Sequence, residues 1–185
     1  MEFLQEIDFR LLNFIHTVLG NKWLDILCPI LRTKTTWIPL YVVFIWFLWK
    51  KFSRDCWKII LAVVLLNAFS DILCAQILKP FFHRVRPCQI SEFSSWLRTF
   101  SQCSQTFSFP SCHALNHATL ASFLFIFFPK RYRWLLIIWV LSIAFSQVYI
   151  GVHFPLDVLG GMVIGSLIGW AGSKWIRNLM KNQSD

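Results

Sequence analysis

Two histidines, His113 and His153, stand 40 positions apart, each inside a short motif suited to phosphate chemistry. In Gly-Val-His-Phe-Pro-Leu-Asp, residues 151–157, Asp157 follows His153 by four positions. At that spacing a carboxylate can bind one imidazole nitrogen, fix the tautomer and leave the other nitrogen free as a nucleophile. In Phe-Pro-Ser-Cys-His, residues 109–113, Pro110 is expected near the first position of a helix, where free backbone N–H groups and the Ser111 hydroxyl meet an incoming anion. Lys79, Arg84 and Arg86 add cations upstream. Cations with two imidazoles and one carboxylate describe a phosphate site better than a metal site. His117 follows His113 at a metal-compatible spacing, but no Glu sits beside His113 as in the helical zinc motif, so a pocket-lining or structural role is expected. Six cysteines form no CxxC pair, and no metal ligand set is expected.

The elements that must position these groups follow from composition. Of 185 residues, 56% are hydrophobic and 15% charged, against about 25% charged in an ordinary soluble domain. That excludes a disordered chain and argues against a soluble globule. The net charge of +9 would suggest nucleic acid on a soluble protein. With a mean hydropathy of +0.55 it reads instead as loops facing anionic headgroups, or as a site for an anionic substrate, and no nucleic-acid partner is expected. Acids at Glu2, Glu6 and Asp8 do not fit a cleavable signal peptide.

Apolar runs predict an all-α integral membrane bundle with five spans, at about residues 36–49, 59–78, 112–128, 134–150 and 155–173. Two segments before them, carrying Leu4, Ile7, Leu11 and Phe14, then Trp23, Ile26 and Ile30, read as amphipathic helices on the membrane or capping the bundle. A sixth span over 9–30 competes, but it would bury Lys22 and Asp25. Domain divisions are expected at 1–35, 36–178 and a cytoplasmic tail, 179–185. Lys50, Lys51, Arg54 and Lys58, then Lys130, Arg131 and Arg133, then Lys174, Arg177 and Lys181 mark alternate turns as cytoplasmic. His113, His153, Lys79 and Arg86 then share the opposite face.

Asn67 and Asp71, inside the second span, are expected to hydrogen-bond within the bundle, and His16 and His83 to be interfacial. Gly161, Gly165 and Gly169 form a small-residue stripe for helix packing, within the chain in preference to a homodimer. Cys88 and Cys103 share the non-cytoplasmic segment, where a disulfide and two free thiols are both open.

Lys79 with Arg86-Pro87, Pro110-Ser111-Cys112-His113, and Ser146 with His153 and Asp157 resemble the three signature motifs of the type 2 phosphatidic acid phosphatase (PAP2) family. The resemblance implies a haloperoxidase-like helical core and a lipid phosphatase without metal or other cofactor. In that scheme His153 attacks phosphorus, Asp157 orients it, and His113 protonates the leaving oxygen. Lys79, Arg86 and Ser111 would hold phosphoryl oxygens, with the backbone at Cys112. Cys112 stands where the family usually has Gly, and Gln147 where it usually has a phosphate-clamping Arg; Arg84 or Arg98 is the candidate substitute for that clamp. Implied substrates are envelope lipids, with lipid A 1-phosphate or undecaprenyl pyrophosphate ahead of phosphatidylglycerol phosphate and phosphatidic acid. The implied setting is a monomer in a bacterial inner membrane, with the site periplasmic and the C-terminus cytoplasmic. A phosphotransferase with the same nucleophile and a non-catalytic homologue or transporter are the rival readings.

Overall fold

Solvent that is partly lipid turns the usual rule of burial outward, and the bundle shows it: Trp46, Val64, Ile138, Val163 and Leu167 are all exposed. The computed structural model describes residues 2–99 and 102–181, and every regular element among them is helical. Helices α1 (Glu2–Thr17) and α2 (Lys22–Arg32) precede the bundle; the Asn21 side chain caps α2 by accepting from the N–H groups of Trp23 and Leu24. α3 (Ile38–Phe52) and α4 (Cys56–Ile72) follow. α4 runs through a π turn, Leu73–Leu78, into the short α5 (Lys79–Phe82). α6 (Cys112–Phe125), α7 (Arg133–Tyr149) and α8 (Pro155–Lys181) complete the core.

Three helical segments are long and apolar enough to cross a membrane: 34–82, 130–149 and 155–181. The first folds back at Ser53–Asp55 and so contributes two helices. α6 differs from the expected span over 112–128. Its 14 residues reach only about 21 Å, short of a hydrocarbon core of roughly 30 Å. It is the central helix, with Ala114, Leu115, Ala118, Ala121, Phe123 and Leu124 all buried. Lys51 Nζ donates to the Phe127 carbonyl at 2.5 Å just beyond its end, so the α3 and α6 termini meet on one side. α8 continues through Lys181, past the expected tail boundary at 179, and residues 182–185 lie outside the described residues.

The glycine stripe packs within the chain. A Cβ built on Gly165 would lie 2.1 Å from the Leu115 carbonyl oxygen, and one on Gly169 2.2 Å from that of Thr119, so α8 lies against the backbone of α6. α1 is oriented opposite to a helix resting on a soluble core. Asp8, Leu12 and His16, spaced four apart, are buried, while Phe3, Leu11 and Phe14 face outward. His16 is therefore not interfacial: its Nδ1 accepts from the Arg98 N–H and its Nε2 donates to the Val148 carbonyl, each at 3.0 Å. Cys88 and Cys103 form a disulfide across the 79–111 segment. A second, unanticipated disulfide joins Cys74 to Cys112 and fixes the π turn of α4 to the first residue of α6.

Candidate active site

His153 lies in the tight connection between α7 and α8, where Gly151, at φ +77°, takes the left-handed conformation that favours glycine. Its Nδ1 lies 3.4 Å from Asp157 Oδ2, and its Nε2 faces Arg86 Nη1 at 3.3 Å. The carboxylate therefore holds the proton on Nδ1, and the unprotonated Nε2 points toward the cation. Burial, aided by the nearby Arg86 and Lys79, outweighs Asp157 and pulls the His153 pKa down to about 4. The imidazole is neutral at pH 7.

Asp157 is fully buried in the first turn of α8. It accepts from the Ser108 hydroxyl, from the Phe154 N–H at 2.8 Å and from Arg84 Nη1 at 2.6 Å. Such multiple donors are what a buried carboxylate needs to stay ionised. Its own carbonyl accepts from the Ser111 N–H at 3.0 Å, which ties the start of α6 to the start of α8.

Arg84 is held between two carboxylates. Its other nitrogen, Nη2, pairs with Asp8 of α1, and the guanidinium lies over the Phe154 ring at 4.2 Å. Arg98, the other candidate substitute, pairs with Asp25 at 2.8 Å. Both candidates for a replacement clamp are thus engaged, each paired with an acid from the N-terminal helices. Gln147 is completely buried, and neither its Nε2 nor its Oε1 has a hydrogen-bond partner among the described residues.

Lys79, in the last helical turn before the chain leaves α5, donates to the carbonyls of Phe107 and Ser108. Arg86 is extended ahead of Pro87, as a residue preceding proline tends to be, and sends Nε to the Thr106 carbonyl at 2.7 Å and Nη1 to that of Val152 at 3.0 Å. Both cations are buried against the 106–108 segment beside His153. Ser111 is the N-cap of α6, its hydroxyl 3.4 Å from the Ala114 N–H, so Pro110 precedes the cap and does not occupy the first helical position. The first-turn N–H groups of Cys112 and His113 are those that an α-helix leaves without a carbonyl one turn back. Cys112 is not a small free side chain but a half-cystine. His113 forms part of the wall of a cavity shared with Asp71, Asn116, Asn67 and Tyr41.

The structure brings together Lys79, Arg86, Ser111, His153 and Asp157, which the sequence singled out, and adds Asp8, Ser108 and Thr106, which it did not. Asp8 left a signal, since it shares a four-residue spacing with Leu12 and His16; Ser108 and Thr106, in an irregular segment, left none. Among the described residues, no group of three His, Cys, Asp or Glu side chains gathers as a metal site would.

A family model described as the PAP2 superfamily matches residues 55–181. A lipid A 4'-phosphatase of Bacteroides thetaiotaomicron is 32% identical over 179 residues, covering 92% of this chain and 77% of that protein. An undecaprenyl-diphosphatase of Sulfolobus acidocaldarius is 31% identical over 88% of this chain and 73% of its own length. The crystal structure of Aquifex aeolicus LpxE superposes with a TM-score of 0.73 at 23% identity, covering 91% of this chain and 95% of that one. The helical core, the match over more than half of the sequence and relatives aligned along most of their length make one conclusion: the chain belongs to the PAP2 superfamily.

Proposed function

We propose that this membrane protein is a phosphatase of an envelope lipid, acting on a lipid A phosphate, with undecaprenyl diphosphate as the second candidate. The observation that carries the reading is the poise of His153, whose Nδ1 is held by Asp157 while its Nε2 looks toward Arg86. In the first step Nε2 attacks phosphorus, the N–P bond forms, and the bond from phosphorus to the leaving oxygen breaks as His113 gives that oxygen its proton. In the second step water attacks the phosphohistidine, His113 takes a proton from it, and the N–P bond breaks to release phosphate and restore His153. Lys79, Arg86 and the N–H groups opening α6 stabilise the charge on the equatorial oxygens, with Ser111 and Gln147 alongside. To meet the phosphate, Lys79 and Arg86 exchange some of their bonds to the carbonyls of 106–108.

Lipid A is favoured because the relative matched over 92% of the chain bears that activity in its name. No metal has a role in these steps; the residues that neutralise charge are cations and backbone amides. We further propose residues 36–178 as the phosphatase unit, present as a monomer in a bacterial inner membrane, with the site periplasmic and the chain's end cytoplasmic. The basic residues after α3, before α7 and at the end of α8 support that orientation. The test is release of phosphate from lipid A and from undecaprenyl diphosphate by detergent-purified protein, with and without EDTA. Acid-labile, base-stable labelling of His153 by 32P-labelled substrate would accompany turnover. Turnover that requires added magnesium, or that survives His153→Ala, would end this reading.

A further inference from the structure

The cavity beside His113 holds polar groups for which phosphate capture has no use. It has a volume of about 230 Å³ and lies between α3, α4 and α6. Asn116 Nδ2 donates to Asp71 Oδ1 at 2.7 Å, and Asn116 Oδ1 is buried without a partner. Asn67 gives one N–H of Nδ2 to the Val63 carbonyl at 3.0 Å, and keeps its oxygen and a second N–H to offer. His117 Nδ1 donates to the His113 carbonyl at 2.7 Å, which leaves Nε2 to accept from the Tyr41 hydroxyl at 3.2 Å and turns the lone pairs of Tyr41 outward. One cation, Lys34, lies at the rim. The lining thus offers several acceptors, a carboxylate and the unpaired Asn116 oxygen among them, beside the second N–H of each amide and Lys34.

A ligand for such a wall must bring hydrogen-bond donors. A second phosphate has none when ionised, and Asp71 repels it; a hydroxylated or amide-bearing sugar has several. An orphaned buried acceptor such as Asn116 Oδ1 costs stability until a donor reaches it. Below, the cavity shares Tyr41, Asn67 and Leu120 with a larger apolar one of about 410 Å³, lined by Phe44, Leu48, Ile60 and Val63, which leaves a path for a chain attached to that sugar. We propose that the cavity is a saccharide subsite that holds the leaving group of a glycolipid phosphate, with Asp71 and Asn116 as its recognition pair. The proposal rests on the reading of His113 as the acid that protonates the leaving oxygen, because the group bonded to that oxygen must then occupy the His113 side of the phosphorus.

The test compares kcat/KM for lipid A, undecaprenyl diphosphate and para-nitrophenyl phosphate in the wild type, Asp71→Asn and Asn116→Ala. Asp71→Asn keeps the shape of the side chain, and melting temperatures check that both variants fold. Each variant is expected to lose about tenfold more on lipid A than on the aryl phosphate, mainly through KM. Asp71→Asn is expected to narrow the gap between undecaprenyl diphosphate and lipid A. A second measurement needs no turnover: binding of dephosphorylated lipid A to His153→Ala protein, which Asp71→Asn in that background should weaken about tenfold. Equal losses on all three substrates, or product binding that Asp71→Asn does not change, would overturn the subsite while leaving the phosphatase in place. A wild type that hydrolyses none of the three would remove the phosphatase reading, and product binding would then decide the subsite alone.

Discussion

Asp8 and Asp157 lie on either side of one guanidinium: Arg84 gives Nη2 to the first and Nη1 to the second, and both carboxylates are fully buried. Without the arginine, two buried anions would face each other with no cation between them. Arg84→Ala should therefore cost on the order of 3 kcal/mol of stability and at least a hundredfold in kcat. Gln147→Arg should not rescue it, because the lost charge holds Asp157 and not the phosphate. Denaturation in detergent and steady-state kinetics on the double mutant check both points. Partial rescue would move Arg84 back to the phosphate.

The depressed pKa of His153 predicts two pH effects. Above pH 4 the imidazole is neutral, so protonation of this proposed nucleophile should inhibit kcat only in the acid limb, well below the usual 6.5 of histidine. Between about 6.5 and 4 the unfolded chain binds a proton at this position that the folded chain does not. Stability from this group is thus complete above pH 6.5 and declines as pH falls toward 4. Melting temperature against pH in the wild type and in His153→Gln isolates that contribution, since the variant should lack this part of the slope.

Gln147 is expected to divide stability from binding. Its buried amide lacks partners on both atoms, a cost of about 1 to 3 kcal/mol for each group, so Gln147→Leu should raise the melting temperature. The same change should raise KM several-fold if the amide turns to the phosphate when substrate arrives. A variant more stable with an unchanged KM would take Gln147 out of the site.

Gly165→Ala should separate α8 from α6, because its Cβ would fall 2.1 Å from a backbone oxygen that cannot move aside. Overpacking of this kind costs about 1 to 3 kcal/mol. Activity should fall with it, since Ser111 and Asp157 are joined across the same helix pair.

Closing the loop between Cys74 and Cys112, 38 positions apart, is worth about 4 kcal/mol on the chain-entropy estimate, and that between Cys88 and Cys103, 15 apart, about 3 kcal/mol. Reducing agent should lower the melting temperature of the wild type. The Cys74→Ser, Cys112→Ser double variant should show a smaller response. Mass spectrometry of unreduced, alkylated protein should find only Cys28 and Cys56 modified.

The core of the site was legible because its parts are local. His153 and Asp157 are a turn apart, and Lys79, Arg86 and Ser111 stand at short fixed distances within their motifs. The Asp8–Arg84 pair was not, because it joins residues 76 positions apart, and nothing in either neighbourhood announces the other. α1 was read as an amphipathic helix on the membrane or capping the bundle, with His16 interfacial; next to lipid its apolar side faces out, and Asp8 and His16 turn in. α6 was overestimated because an apolar run measures burial without saying what does the burying. Cys112 was treated as a substitute for glycine, and its partner, Cys74, lay in another helix.

Asp8 Oδ1 also accepts from the N–H of Leu156, 148 positions later, at 2.8 Å. The site is thus a meeting of α1 with α8, two helices that leave the ribosome far apart in time. At about 5 to 20 residues per second, α1 waits on the order of ten seconds before the turn at 154–157 exists, with Arg84 the earlier of the two partners of Asp8. A chain halted before that turn, however well inserted, holds Lys79 and Arg86 but neither His153, the proposed nucleophile, nor the Asp157 that braces it. On the proposed mechanism such a nascent chain leaves the lipids around it untouched.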